Sequence, residues 1–101
     1  MSEESKYNYR QIDKLVHSRI RLAVMTILVQ QESAPFSYLK DQTGATDGNL
    51  SSHLSKLVEA GYITEEKEFV DKKPKTTYFI TKEGRKAFEE YLDRLENLID
   101  L

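Results

Sequence analysis

A run of small polar residues between Thr46 and Lys56 has the side-chain types and the spacing for hydrogen bonding along one face of a helix. At 100° per residue, Asn49, Ser52 and Lys56 fall on the same side. Asparagine can form paired hydrogen bonds with adenine, and a lysine one turn further on suits a phosphate. Because most of these side chains are short, such a helix can approach base edges in the major groove. The candidate contact residues are Thr46, Asn49, Ser51, Ser52, His53, Ser55 and Lys56.

The opposite side of this helix is apolar, with Leu50, Leu54, Leu57 and Val58 within about a quarter-circle. An ordinary amphipathic helix whose polar face meets only water has the same pattern. A solvated face usually carries long charged residues, however, whereas serine and asparagine lower helix propensity and need another reason to be there. The helix by itself leaves both interpretations open.

His53 lies at the margin of the polar face and has three possible roles. It can be a partly buried histidine bonded to a neighbouring backbone group, a contact to phosphate or base, or a metal ligand. The other histidine, His17, belongs to a different predicted helix, and the chain has no cysteine. We therefore expect no metal site and no cofactor.

A second group of candidate contact residues is the lysine cluster Lys72, Lys73 and Lys75 around Pro74. Apolar, β-branched and aromatic residues on either side predict two strands, and residues 71–75 are predicted to form the turn between them. Ammonium groups on a hairpin tip can contact phosphates or the minor groove of a duplex. A charged turn that only aids solubility is the alternative.

Two further helices are predicted to precede and position the candidate contact helix. Apolar residues at intervals of three and four predict a first helix that begins at Ile12 and ends before Pro35. Ser37 is predicted to cap a short helix that Gly44 ends. Thr46 or Asp47 then caps the candidate contact helix, which runs to Ala60 and stops at Gly61.

The last predicted helix occupies residues 81–101, with Thr81 as its cap. Its apolar residues form a narrow seam like that of a coiled coil, which can pack on the first helix or on a second copy of the chain. We expect homodimerisation, with intramolecular docking as the alternative. The predicted dimer interface consists of Leu22, Met25, Phe88, Tyr91, Leu92, Leu95, Leu98 and Ile99.

The length of 101 residues predicts a single domain, in which residues 1–9 are polar and expected to be disordered. The net charge of −2 hides an asymmetry, because residues 67–86 have a net charge of +4 and residues 87–101 a net charge of −4. The longest apolar run is far too short to span a bilayer, and the amino-terminal residues lack the apolar region of a secretory signal. We therefore expect a cytoplasmic protein that does not contact a membrane.

The predicted order is three helices, a hairpin and a fourth helix, which is the mainly α winged helix-turn-helix arrangement with a small β-hairpin. The segments TDGNLSSHLSKLVEAGYI and KKPKTTYFITKEGRKAF, which begin at Thr46 and Lys72, resemble winged-helix transcriptional regulators of the MarR and ArsR families. The small single-domain MarR-like group is the most similar. The resemblance implies a homodimer that binds double-stranded DNA, commonly as a repressor. The ArsR cysteine motif is absent, so metal sensing is not carried over, and whether a small-molecule effector exists is left open.

Two other classes of function remain as alternatives. A winged helix can serve as a protein-interaction module without binding DNA, although such modules lose the basic wing and the small polar face. An enzyme is the weakest hypothesis, because the chain has no glycine-rich phosphate loop, no metal motif and no nucleophile beside paired carboxylates.

Overall fold

The computed structural model describes residues 12–99, which form four helices and three strands. In chain order they are α1 (Arg19–Gln31), β1 (Ser33–Pro35), α2 (Phe36–Thr43), α3 (Asp47–Glu59), β2 (Ile63–Val70), β3 (Lys73–Ile80) and α4 (Lys82–Ile99). The mainly α winged helix-turn-helix predicted from the sequence is confirmed. The predicted disorder of residues 1–9 lies outside the described residues.

The first helix begins at Arg19 and not, as predicted, at Ile12. Asp13 explains the difference, because its Oδ1 atom accepts hydrogen bonds from the backbone N–H groups of Leu15 (2.8 Å) and Val16 (3.3 Å). Such a side-chain turn satisfies the same backbone groups that a helix would use. Val16 is nevertheless buried, so the apolar pattern correctly located a core residue but not a helical one.

A short strand, β1, follows α1 where only a helix end was predicted. Glu32 adopts a left-handed conformation with a φ of 72°, which ends the helix. Residues 33–35 then pair antiparallel with β3, which gives the sheet order β1-β3-β2. The helix end predicted from Pro35 was therefore correct. The strand was not predicted, because its pairing partner lies more than forty residues away in the chain and no local sequence pattern marks the pair.

The helix ends of the central region follow the sequence signals with one exception. Pro35, and not Ser37, occupies the N-cap position of α2. Gly44 ends α2 in the left-handed conformation, as predicted. Thr46 caps α3, since its hydroxyl oxygen accepts the N–H of Asn49 at 3.2 Å.

The hairpin between β2 and β3 has a two-residue turn, Asp71 and Lys72, in place of the predicted five-residue turn. Both turn residues have positive φ values, 53° and 66°, as the tight turns that suit twisted strands require. Lys73 and Lys75 consequently belong to strand β3. Their side chains therefore share one face of the hairpin, because alternate residues of a strand point the same way.

The core lies between the helices and one face of the sheet. Its fully buried residues are Val16, Val24, Met25, Leu28, Leu39, Leu50, Leu54, Leu57 and Ile63. Helix α4 completes the core from the other end of the chain with Ala87, Phe88 and Tyr91. Across residues 12–99, no helix has both the length and the apolar character to cross a bilayer.

Candidate nucleic-acid interface

Helix α3 presents the predicted polar face to solvent. Leu50, Leu54 and Leu57 are buried, whereas Asn49, Ser51, Ser52, Ser55 and Lys56 are exposed. The three leucines hold the helix axis against the core, and the Thr46 cap orders its first turn. The exposed face is therefore a rigid surface of hydrogen-bonding groups with few long side chains.

The first turn of α3 carries an ion pair that was not predicted from the sequence. Lys40 of α2 contacts the carboxylate of Asp47 at 2.9 Å, and both side chains are largely exposed. Such a pair contributes little to stability. Its carboxylate does, however, occupy the helix end that would otherwise be most favourable for a phosphate. Within this interface, Lys56 rather than the first turn offers the better phosphate contact.

His53 is half-buried and is held by Arg21 of helix α1. The Nδ1 atom of His53 lies 2.7 Å from Nη1 of Arg21. A guanidinium can only donate, so Nδ1 accepts and the imidazole proton resides on Nε2. His53 therefore offers an N–H donor on the same side of α3 as Asn49, which is one turn earlier.

The surroundings of His53 favour its neutral form. Burial lowers the pKa of His53 below its usual value of 6.5, and the positive charges of Arg21 and Lys56 lower it further. Arg21 is itself fixed in place, because its Nε–H donates to the carbonyl oxygen of Leu15. The histidine thus acts as a neutral hydrogen-bond donor and not as a cation at neutral pH.

Arg21 is not among the site residues predicted from the sequence. The predicted alternative for His53 was a bond to a neighbouring backbone group, whereas the observed partner is a side chain 32 residues away. No local pattern marks such a pair. The nearest available signal was the excess of basic residues in the first 21 positions, which does not specify a partner.

The wing, defined as residues 67–76 of the β2–β3 hairpin, carries the predicted lysines on more than one surface. Lys72 lies in the turn, and Lys73 and Lys75 lie on β3. All three are exposed. Register places Lys75 directly opposite Glu68 and Lys73 opposite Val70. Residues 63–80 contain four acidic residues and four lysines, so the positive charge is concentrated at the turn and does not extend along the hairpin.

A groove joins the wing to the amino-terminal end of α2. Its volume is about 290 Å³, and it is lined by Pro35, Phe36, Ser37, Pro74, Lys75 and Thr76. The side chains of Lys75, Ser37 and Thr76 give it hydrogen-bonding groups and one positive charge. Ser37, which does not cap the helix, is exposed here.

The region around Tyr62 connects α3, the hairpin and α4. The Tyr62 hydroxyl donates to Oδ2 of Asp13 at 2.9 Å, and its carbonyl oxygen accepts the Thr81 N–H at 3.1 Å. Gly84 packs so closely on this carbonyl that a methyl group there would overlap it. Burial, the hydrogen bond to Asp13 and the nearby charges of Asp13 and Glu90 raise the pKa of Tyr62 to about 12. These contacts fix the segment that follows α3 to Asp13 and to the start of α4.

The residues predicted for a dimer interface fall into two groups. Met25, Phe88 and Tyr91 are buried in the core of a single chain, because α1 and α4 pack against each other as in the intramolecular alternative. The Tyr91 hydroxyl also lies 2.9 Å from Nδ1 of His17. The other five remain at least partly accessible: Leu22, Leu92, Leu95, Leu98 and Ile99.

The order of the helices and the projecting β2–β3 hairpin define a winged-helix protein. Residues 20–99 match the family described as winged helix DNA-binding domain, and the chain belongs to that family. An uncharacterized protein of Methanocaldococcus jannaschii is 38% identical over 79 residues, which cover 78% of this chain and 86% of that protein.

Two solved structures share this fold. A transcriptional regulator homologue from Pyrococcus horikoshii OT3 superposes with a TM-score of 0.79 at 31% identity, covering 85% of each chain. The putative transcriptional regulator ytfH from Salmonella typhimurium has a TM-score of 0.72 at 22% identity, covering 92% of this chain and 81% of its own, and supports the fold alone. The predicted resemblance to winged-helix regulators is confirmed.

Proposed function

We propose that this protein binds specific sequences of duplex DNA as a homodimer and represses transcription. The observation that carries the proposal is the exposed face of α3, where short hydrogen-bonding side chains stand on a helix anchored by three buried leucines. A rigid helix without bulky side chains matches the shape of the major groove.

The DNA contact proposed for each residue follows from the chemistry of its side chain. Asn49 and Ser52 contact base edges, His53 donates from Nε2 to a base or phosphate acceptor, and Lys56 contacts phosphate. The wing lysines contact the DNA backbone on a neighbouring segment of the duplex. Since lysine is a point charge, the wing contributes affinity more than base selection.

The proposed dimer uses the surfaces that a single chain leaves accessible. Leu92 and Ile99 on α4 are 45% and 53% exposed, which is unusual for residues of a regular apolar seam. A shallow apolar groove of about 500 Å³ lies along α1, where its lining includes Leu22, Ala23 and Ile27. A two-fold dimer would present two α3 helices to successive major grooves, roughly 34 Å apart.

Selection of binding sites from random duplexes at two salt concentrations tests DNA binding and its specificity together. We expect a recovered sequence with two-fold symmetry and a strong loss of affinity at the higher salt. Unselective recovery at low salt would contradict sequence specificity. Salt-insensitive association with a protein, without duplex binding, would favour the interaction-module alternative.

Sedimentation of the variant L92E/I99E tests the dimer. We expect a monomer, because each glutamate places a charge in the proposed apolar contact. The matched control is D93A/N97A, which alters two exposed residues that lie about 100° or more around α4 from Leu92 and Ile99 and should leave the dimer intact. A wild-type protein that sediments as a monomer would contradict the proposed assembly. Repression is tested with a reporter gene placed downstream of the selected sequence.

A further inference from the structure

Gly48 is the one glycine of this chain that the described fold does not explain. Gly44 and Gly61 have positive φ values, and Gly84 packs against the carbonyl oxygen of Tyr62. Gly48 lies within α3 without a positive φ, and a methyl group there would meet none of the described atoms within 4 Å outside its own stretch of helix. Since alanine favours a helix more than glycine does, the missing side chain indicates a requirement that lies outside the fold.

Gly48 lies on the outermost line of α3. At 100° per residue, Gly48 and Ser52 are nearly opposite the three buried leucines. Ser55 continues this line one turn later, and all three residues are exposed. Asn49, a proposed base contact, borders the line at the same end of the helix. A partner that receives this face of α3 therefore comes closest to the backbone at Gly48, where no side chain keeps it away.

The gap at Gly48 has the size of a methyl group, because a methyl group is what glycine lacks relative to alanine. Residues three and four positions apart on a helix are neighbours, so Ser51 and Ser52 border the gap together with Asn49. Gly48 itself offers only its Cα hydrogens and no hydrogen-bonding side chain. The gap therefore suits a small apolar group that is surrounded by polar atoms.

A phosphate fits this gap poorly. The preceding side chain is the carboxylate of Asp47, which is 71% exposed although Lys40 contacts it. The backbone N–H of Asn49, one of the free donors that a helix end offers an anion, is already bonded to the hydroxyl oxygen of Thr46. The base edges of the major groove, by contrast, present one apolar group of the required size, which is the C5 methyl group of thymine.

We propose that Gly48 determines specificity by receiving the C5 methyl group of a thymine in the major groove. This inference rests on the proposed DNA binding and adds a base that the hydrogen-bonding residues do not select. The methyl group lies against the Cα of Gly48, beside the base that Asn49 contacts, and its burial removes apolar surface from water. Uracil differs from thymine only by this methyl group and leaves the gap empty.

Replacement of each thymine of the selected duplex by uracil, one at a time, tests the contact from the side of the DNA. We expect one thymine in each half of the two-fold symmetric sequence at which uracil lowers the affinity of the wild type by about fourfold, the effect of one buried methyl group. Thymines outside the region protected by α3 are the control, and uracil there should change the affinity by less than about twofold.

The variant G48A transfers the methyl group from the DNA to the protein. It should bind the thymine duplex about tenfold more weakly than the wild type, because the two methyl groups overlap. It should bind the uracil duplex more tightly than the thymine duplex, which reverses the preference of the wild type. The salt slope should not change, since no charge is altered. The matched control is S51A, which keeps the Cβ atom beside the gap and should retain the preference for thymine.

Urea denaturation separates this effect from a loss of folding. G48A should unfold at a urea concentration no lower than the wild type, whereas G84A should unfold at a lower one, because its methyl group would overlap the backbone of Tyr62. Each of four results would overturn the inference alone: equal binding of G48A and wild type to the thymine duplex, a G48A that still prefers thymine, a G48A less stable than the wild type, or no thymine at which uracil matters. A wild-type chain that binds no duplex would overturn it together with the proposed function.

Discussion

Helix α3 and the wing are supported in different ways, although the proposed function uses both. Three leucines of α3 are buried, its first turn is capped by Thr46, and the contacts of Tyr62 fix the segment that follows it. The wing projects beyond the core, and residues 67–75 are all exposed. Its shape depends on the β2–β3 ladder and on one tight turn.

Because of this difference, substitutions in the two regions should affect the stability of the fold and the affinity for DNA differently. A change on the buried side of α3 should affect folding and DNA binding together, because the same helix serves both. A change on the wing should affect binding alone, since the wing adds little buried apolar surface. Substitutions in the two regions can therefore be compared by measuring unfolding and binding on the same variants.

The largest effect is expected from L54A, on the buried side of α3. Removing a fully buried leucine typically costs about 2–5 kcal/mol in the free energy of unfolding. Urea denaturation followed by circular dichroism measures this cost. The control is S55A, the next residue on the exposed side, which should unfold within about 0.5 kcal/mol of the wild type. Equal stability of L54A and S55A would contradict the anchoring of α3 by its leucines.

The next effect is expected from the wing variant K72A/K73A/K75A. Loss of three phosphate contacts should flatten the plot of log affinity against log salt by up to about three units per wing and weaken binding to all duplexes. The denaturation midpoint should not change. K82A/K86A on α4 is the control for removal of exposed lysines. An unchanged salt slope would exclude the wing lysines from DNA contact.

The variant N49A tests whether α3 selects a DNA sequence, whereas the wing variant tests affinity for any duplex. We expect a loss of about 1–3 kcal/mol on the selected duplex and little change on random DNA. Asn97 on α4 is an exposed asparagine far along the chain, and N97A serves as the control. Equal losses on both kinds of duplex would show that Asn49 contacts phosphate only.

The smallest effect concerns Arg21 and the charge of His53. Because the pKa of His53 is lowered in the folded chain, the unfolded chain binds more protons below about pH 6.5, and stability should fall as the pH decreases through that value. H53Q should remove this part of the pH dependence. R21A should move the pKa of His53 back toward its usual value, and binding to random DNA should strengthen as the pH falls below about 6.5 and a cation appears on α3.

The nearby arginine variant R19A is the control for this last prediction, since Arg19 lies two residues from Arg21. Titration of the His53 ring by NMR follows the protonation directly. If R21A leaves the His53 titration where it is in the wild type, Arg21 does not hold the tautomer, and the histidine contributes to the interface in another way.

The amino-acid sequence by itself determined the winged-helix order, the buried and exposed sides of α3, and the helix ends at Gly44, Thr46 and Thr81. These features depend on the 3.6-residue period and on residues within one turn of each other, so local chemistry is sufficient. Only the tertiary structure decided that Arg21 holds His53, that Met25 and Tyr91 belong to the core of one chain, and that Gly84 packs against the carbonyl oxygen of Tyr62. Each of these depends on segments far apart in the chain that come together when the sheet and α4 close the core.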